Sequence, residues 1–171
     1  SCLEYLMKYD TVLGHFKYPI KLKEGNLFCR GQATKMYSDP DPGDVNWKEC
    51  GVDYVIEASG RNHSIVELKK HISSGAKKVF LCAPPADEPD ANIIMGINED
   101  ILKPNHQIIS NSSCTAHCAA FVLEAIHKAF GVEKVMLSTI HAYTNRQCLA
   151  DVPGRDLRNS RSAPENIMPS T

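Results

Sequence analysis

Residues 106–130 read "HQIISNSSCTAHCAAFVLEAIHKAF", and the change of pattern in the middle of this stretch decides the fold. The first part, "HQIISNSS" (106–113), is a short apolar run with polar ends and suits a buried strand. Asn111, Ser112 and Ser113 then supply candidate helix N-caps. Beyond them Ala119, Val122, Leu123, Ile126 and Phe130 repeat at helical spacing. His127 and Lys128 suit the negative end of a helix dipole, and Gly131 suits its stop. A strand that runs straight into a helix is the grammar of an α/β protein.

The same grammar extends outward. "DYVIEASG" (53–60) is a buried-strand pattern ending on glycine, and residues 63–74 place Ile65, Val66, Leu68 and Ile72 on one helical face. "KKVFLCAPP" (77–85) is another strand, stopped by prolines, and "KVMLSTIHAYT" (134–144) is expected to be a further one. The order strand, helix, strand, strand, helix, strand predicts α/β with a largely parallel sheet. Upstream, extended runs at 17–23 and 27–37 flank "EGN", a plausible hairpin turn. "SDPDPGD" (38–44) is a loop. The chain opens on Leu3, Leu6 and Met7 at helical spacing and closes on "NIMPST", and both ends read as those of a fragment.

Composition narrows the function without naming it. The 171 residues carry a formal net charge of −1, so no strong field favours nucleic acid or an anionic membrane. There is no signal peptide pattern and no apolar run of membrane-spanning length. Seven cysteines at irregular spacing do not make a disulfide framework. They suggest reduced thiols in the cytoplasm, most of them buried as small hydrophobes. Arg155, Arg158 and Arg161 form the one local concentration of basic residues, expected to be solvated or to face a subunit.

Cys114 is the residue with the strongest chemical potential. It sits where a strand ends and a helix begins, and α/β sites gather at the carboxyl ends of strands. Unpaired N–H groups and the positive end of the dipole at a helix start favour thiolate over thiol. Cys118 lies one turn deeper, where the dipole has faded. A nucleophile needs a base, and His141 stands near the end of the next expected strand, where a compact helix–strand return brings it back toward the helix start. Ser113, Thr115 and Thr144 flank the pair with hydroxyls suited to an anion. Against this stand blander readings: an inert cysteine at a helix start, a structural histidine, or a metal site from Cys114, His117 and Cys118. The last has an unusual spacing and lacks a second pair of ligands, so no metal is expected.

These motifs resemble a known family. "SNSSCTAHC" resembles the "SNASCTTNC" signature of phosphorylating glyceraldehyde-3-phosphate dehydrogenases. "STIHAYTNRQ" resembles their "TTxHAYTxxQ", and "DLRNSRSAPENIMPST" their "DLRRARAAxxNIIPTSTG". "YLMKYDTVLGHF", "YVIEASG" and "MGIN" are similar to "YLxKYDSxHGRF", "YVVESTG" and "MGVN", and the matches keep their order from end to end. Erythrose-4-phosphate dehydrogenases share much of this pattern and stay as a close alternative.

The resemblance implies a partial Rossmann-type NAD-binding domain over 1–113, lacking its first β-α-β unit, and the start of an α+β catalytic domain over 114–171. It implies Cys114 as nucleophile and His141 as base, with NAD as hydride acceptor. Ser113, Thr115 and Thr144 would bind the substrate phosphate or the attacking inorganic phosphate, and Ser59 and Gly60 would lie against the cofactor. The substrate would be a phosphorylated aldehyde, the setting glycolysis, and the assembly a homotetramer in which the 145–163 loop lines a neighbour's cofactor pocket. The departures are equally specific. The family's "GxNGxGRIGR" turn has no counterpart here, and neither does the Thr-Gly phosphate contact that follows its "NIIPTS". Pro40 replaces an arginine and Pro85 a serine near the cofactor, and His117 stands where the family has asparagine. They keep open a second reading: a truncated, non-catalytic relative acting as a binding or regulatory module.

Overall fold

The structure, a computed structural model, describes residues 2–154 and 156–169. Arg155 of the arginine-bearing loop and Ser170 and Thr171 of the "NIMPST" stretch lie outside the described residues, as does Ser1. The chain forms two units, one up to Ala125 and one from Ile126 onward.

The first unit opens with helix α1 (Cys2–Lys8), as the spacing of Leu3, Leu6 and Met7 predicts. Glu4 on α1 accepts a hydrogen bond from the Leu22 N–H over 3.2 Å and so ties the helix to the sheet that follows. Strands β1 (Tyr9–Asp10) and β2 (Gly14–His15) form a minimal antiparallel pair. Strands β3 (Ile20–Lys23), β4 (Asn26–Cys29) and β5 (Gln32–Lys35) form an antiparallel meander. The expected "EGN" hairpin is present. Glu24 and Gly25 both have positive φ, 51° and 71°, as a two-residue primed turn requires. Arg30 and Gly31 repeat that geometry and split the run 27–37 into two strands.

The second sheet sets the site. Strands β6 (Tyr54–Glu57), β7 (Lys78–Leu81), β8 (Ala91–Asn92) and β9 (Ile108–Ser110) lie in the order β6–β7–β9–β8, every pairing parallel. Helix α2 (Ile65–Ser73) makes the crossover from β6 to β7. It starts in a capping box: the Ser64 hydroxyl accepts the Glu67 N–H, and Glu67 accepts the Ser64 N–H. The Asp87 carboxylate takes the Ile65 N–H as well. Leu68 of α2 is fully buried against Val55, Val79, Leu81 and Ile108, and this cluster is the core. The mixed α/β architecture with a parallel sheet is the expected one, a partial Rossmann-type arrangement. Among the described residues the opposite sheet face is covered only at β9, where Ile109 packs with Ala91, Ile93 and Phe80, and is open at β6. Ile56 is 70% exposed although its neighbour Val55 is buried.

Helix α3 (Cys114–Phe130) follows β9, with Gly131 beyond it at φ 73° and its N–H on the His127 carbonyl. None of its residues is buried. From there the structure departs from expectation: residues 134–144 form no strand. Val135, Met136, Leu137 and Ile140 are exposed, and among the described residues no strand pairs with them. A strand exists only through its ladder, so the apolar pattern alone does not make one. The 145–163 loop closes on itself. Ala163 N–H bonds to the Cys148 carbonyl, Val152 N–H to the Ser160 carbonyl, and Asp151 receives Arg161 over 2.6 Å.

Candidate active site around Cys114

The connection from β9 to α3 is an elbow built almost wholly from serines. Ser110 is fully buried; its hydroxyl donates to the Ala83 carbonyl and accepts the Ser112 N–H over 2.9 Å. The Asn111 N–H bonds to the Leu81 carbonyl, so the elbow is stitched to the end of β7. Ser112 has φ 58°, a left-handed conformation that side chains resist. Ser113 is the working N-cap of the three candidates: its hydroxyl accepts the Ala116 N–H over 3.0 Å. Its carbonyl accepts the His117 N–H and lies 2.9 Å from His117 Nδ1. The histidine that departs from the family pattern thus reaches back to the cap residue.

Cys114 is the first residue of α3 and is exposed, with Thr115 half-buried after it. None of the seven cysteines is in a disulfide. The expectation that most of them are buried fails: five are exposed and two are half-buried. Cys118, one turn deeper, is among the exposed. Among the described residues no three His, Cys, Asp or Glu side chains are grouped to hold a metal.

Ser59 and Gly60 follow β6 at its carboxyl end, the same sheet end at which β9 delivers Ser113, Cys114 and Thr115. Gly60 has φ 72°, and nothing lies within 4 Å of where a side chain would begin. Such a turn leaves backbone open to a flat ligand and fits one edge of a dinucleotide. The start of α2 does not fit a pyrophosphate, since the Ile65 and Glu67 N–H groups are already taken. His141 and Thr144 belong to the second unit. Both are exposed; His141 Nδ1 lies 2.6 Å from the Ala142 carbonyl, and the Thr144 N–H donates to Gln147. The structure therefore groups Ser59, Gly60, Ser113, Cys114 and Thr115 at one sheet end, and describes His141 and Thr144 within their own unit.

Sequence reasoning missed Glu57. It is a buried carboxylate that receives the Ser59 N–H at 2.7 Å and Asn62 Nδ2 at 3.0 Å, and it lies 3.3 Å from His71 Nε2. Burial pushes its pKa up, but the bonds from Ser59, Asn62 and His71 outweigh this and hold it below the ordinary value. The available signal was an acidic residue closing an otherwise apolar strand run.

A cleft of about 530 Å³ between Tyr54, Phe80, Leu102 and Pro104 lies on the open sheet face. Tyr54 and Lys78 of its lining begin their strands, so it sits at the opposite sheet end from Cys114. No helix among the described residues is long and apolar enough to cross a membrane.

Comparison with known proteins identifies the family. The family model described as glyceraldehyde 3-phosphate dehydrogenase, NAD binding domain, matches residues 1–65, and the one described as the C-terminal domain of the same enzyme matches residues 113–171. A glyceraldehyde-3-phosphate dehydrogenase of Streptomyces coelicolor is 44% identical over 168 residues, 98% of this chain and 50% of that protein. One of Thermotoga maritima is 44% identical over 173 residues, 99% and 50% of the two chains. One of Geobacillus stearothermophilus is 40% identical over 172 residues, 100% and 51%. The chain spans about half the length of the curated relatives it matches. With both domain models matched in order and Cys114 delivered to the carboxyl end of a parallel sheet, the chain belongs to the glyceraldehyde-3-phosphate dehydrogenase family.

Proposed function

We propose that this chain carries the nucleophile of a glyceraldehyde-3-phosphate dehydrogenase-type oxidoreductase that oxidises a phosphorylated aldehyde in cytoplasmic glycolysis. The observation that carries the reading is Cys114, an exposed thiol on the first residue of α3 at the sheet end where α/β sites form. The Cys114 thiolate attacks the aldehyde carbon, a C–S bond forms, and the carbonyl electron pair moves to oxygen to give a hemithioacetal. His141 takes the thiol proton to make that thiolate, returns it to the new oxygen, and takes it again as the hydride leaves. NAD, when bound, supplies the hydride acceptor, and the carbon is left as a thioester of Cys114. Inorganic phosphate then attacks that carbon, the C–S bond breaks, and Cys114 leaves as thiolate with an acyl phosphate as product. Ser113, Thr115 and Thr144 bind the two phosphates, and Ser59 and Gly60 line the cofactor. The domain boundary falls between 113 and 114, and the assembly is a homotetramer. An erythrose-4-phosphate substrate is the near alternative.

The test is alkylation rate against pH, followed by mass spectrometry at Cys114, with Cys114→Ser as control. Cys114 is expected to react roughly tenfold faster than a model thiol at neutral pH. His141→Asn is expected to remove most of that advantage. A rate no higher than the model thiol's sinks the nucleophile assignment. A non-catalytic binding module is the second reading, favoured by Pro40, Pro85 and His117, and by the 134–144 segment forming no strand. The two readings part on the same measurement, since a binding module has no use for an activated thiol.

A further inference from the structure

Glu57 and His71 are buried, 6% and 5% exposed, and the chemistry above uses neither. The Trp47 indole N–H donates to His71 Nδ1 over 3.1 Å. An indole nitrogen is only a donor, so His71 Nδ1 must accept. The neutral ring therefore carries its proton on Nε2, which donates to Glu57 Oε2 over 3.3 Å. The same carboxylate receives Asn62 Nδ2 on that oxygen and the Ser59 N–H on the other. A chain of hydrogen bonds thus runs from the 47–51 turn, through α2, to the turn that leaves β6. Glu57 faces inward beside Val55 and pairs in register with Leu81, where an apolar residue would pack at lower cost. What the carboxylate adds is an acceptor for the donors of the following turn.

We propose that Glu57 and His71 are positioning residues for the Ser59–Gly60 turn: the carboxylate fixes the turn's backbone, and the imidazole, locked in one tautomer by Trp47, fixes the carboxylate. The functional meaning rests on the reading that this turn faces the cofactor.

The experiment is amide hydrogen exchange over residues 59–62 in the 171-residue chain without cofactor, for wild type, Glu57→Gln and Trp47→Phe. Glutamine keeps at most one acceptor oxygen and turns an NH₂ toward another donor. Exchange over 59–62 is expected to rise about tenfold in Glu57→Gln, with β7 and α2 protected as before. Trp47→Phe, which leaves the carboxylate in place, is expected to give a smaller rise of about threefold at the same amides. Unchanged exchange in both variants overturns the proposal. So does a rise spread equally over β7 and α2, which would mean that the network serves general stability alone. The exchange is read without NAD and does not depend on its binding, so it stands or falls apart from the cofactor reading.

Discussion

Ser113 shows how much of a site one residue can set. Its hydroxyl caps α3, its carbonyl takes two donors from His117, and it holds Cys114 at the first helical position. Ser113→Ala is expected to cost about 1 kcal/mol in urea unfolding, with faster exchange at the Ala116 amide. Unchanged exchange at Ala116 would show that the cap is not formed in solution. The capping role was legible in "NSSC", because helix starts use short polar side chains for a local reason. Which of the three candidates does the work was not. That depended on Ser110 reaching Ala83 and Ser112 turning to positive φ, both consequences of the neighbouring strand.

Among the elements, α2 and the strands β6, β7 and β9 lie where the apolar patterns place them, since their periods are local and their caps are specific. The segment 134–144 carries an equally good pattern and is not a strand, because a ladder partner is not written in the segment itself. Glu57 was illegible for the same reason: its partner His71 comes from another element, 14 residues along the chain. Its effect on β6 is measurable. Folding depresses the Glu57 carboxyl below its ordinary value of 4.5, so the folded chain binds that proton less readily than the unfolded chain. The stabilisation is fully present above that value and is lost as pH falls through the folded value. Wild-type unfolding free energy is therefore expected to fall more steeply below about pH 4.5 than that of Glu57→Gln, by up to one bound proton in slope. Parallel pH profiles for the two proteins would show that Glu57 is not ionised in the folded state.

For the whole molecule, among the described residues the parallel sheet is covered by α2 on one face and only at β9 on the other, and α3 buries none of its residues. "YVIE" reads as a strand buried on both sides, and the structure realises only one of them. The chain spans about half the length of these relatives. The same shortfall governs the cofactor. The Gly60 turn, proposed above to line the cofactor, is open, but the start of α2 is satisfied by Ser64 and Asp87 and no glycine-rich turn is in the sequence. A pyrophosphate binds where consecutive N–H groups and a helix dipole converge on it, and without them its two charges must be desolvated with little return. Residues 1–171 alone are therefore expected not to bind NAD with micromolar affinity in a calorimetric titration. A saturating isotherm in the micromolar range would overturn this. It would mean that the edge formed by Ser59, Gly60 and the β9–α3 elbow holds the cofactor without a pyrophosphate cradle.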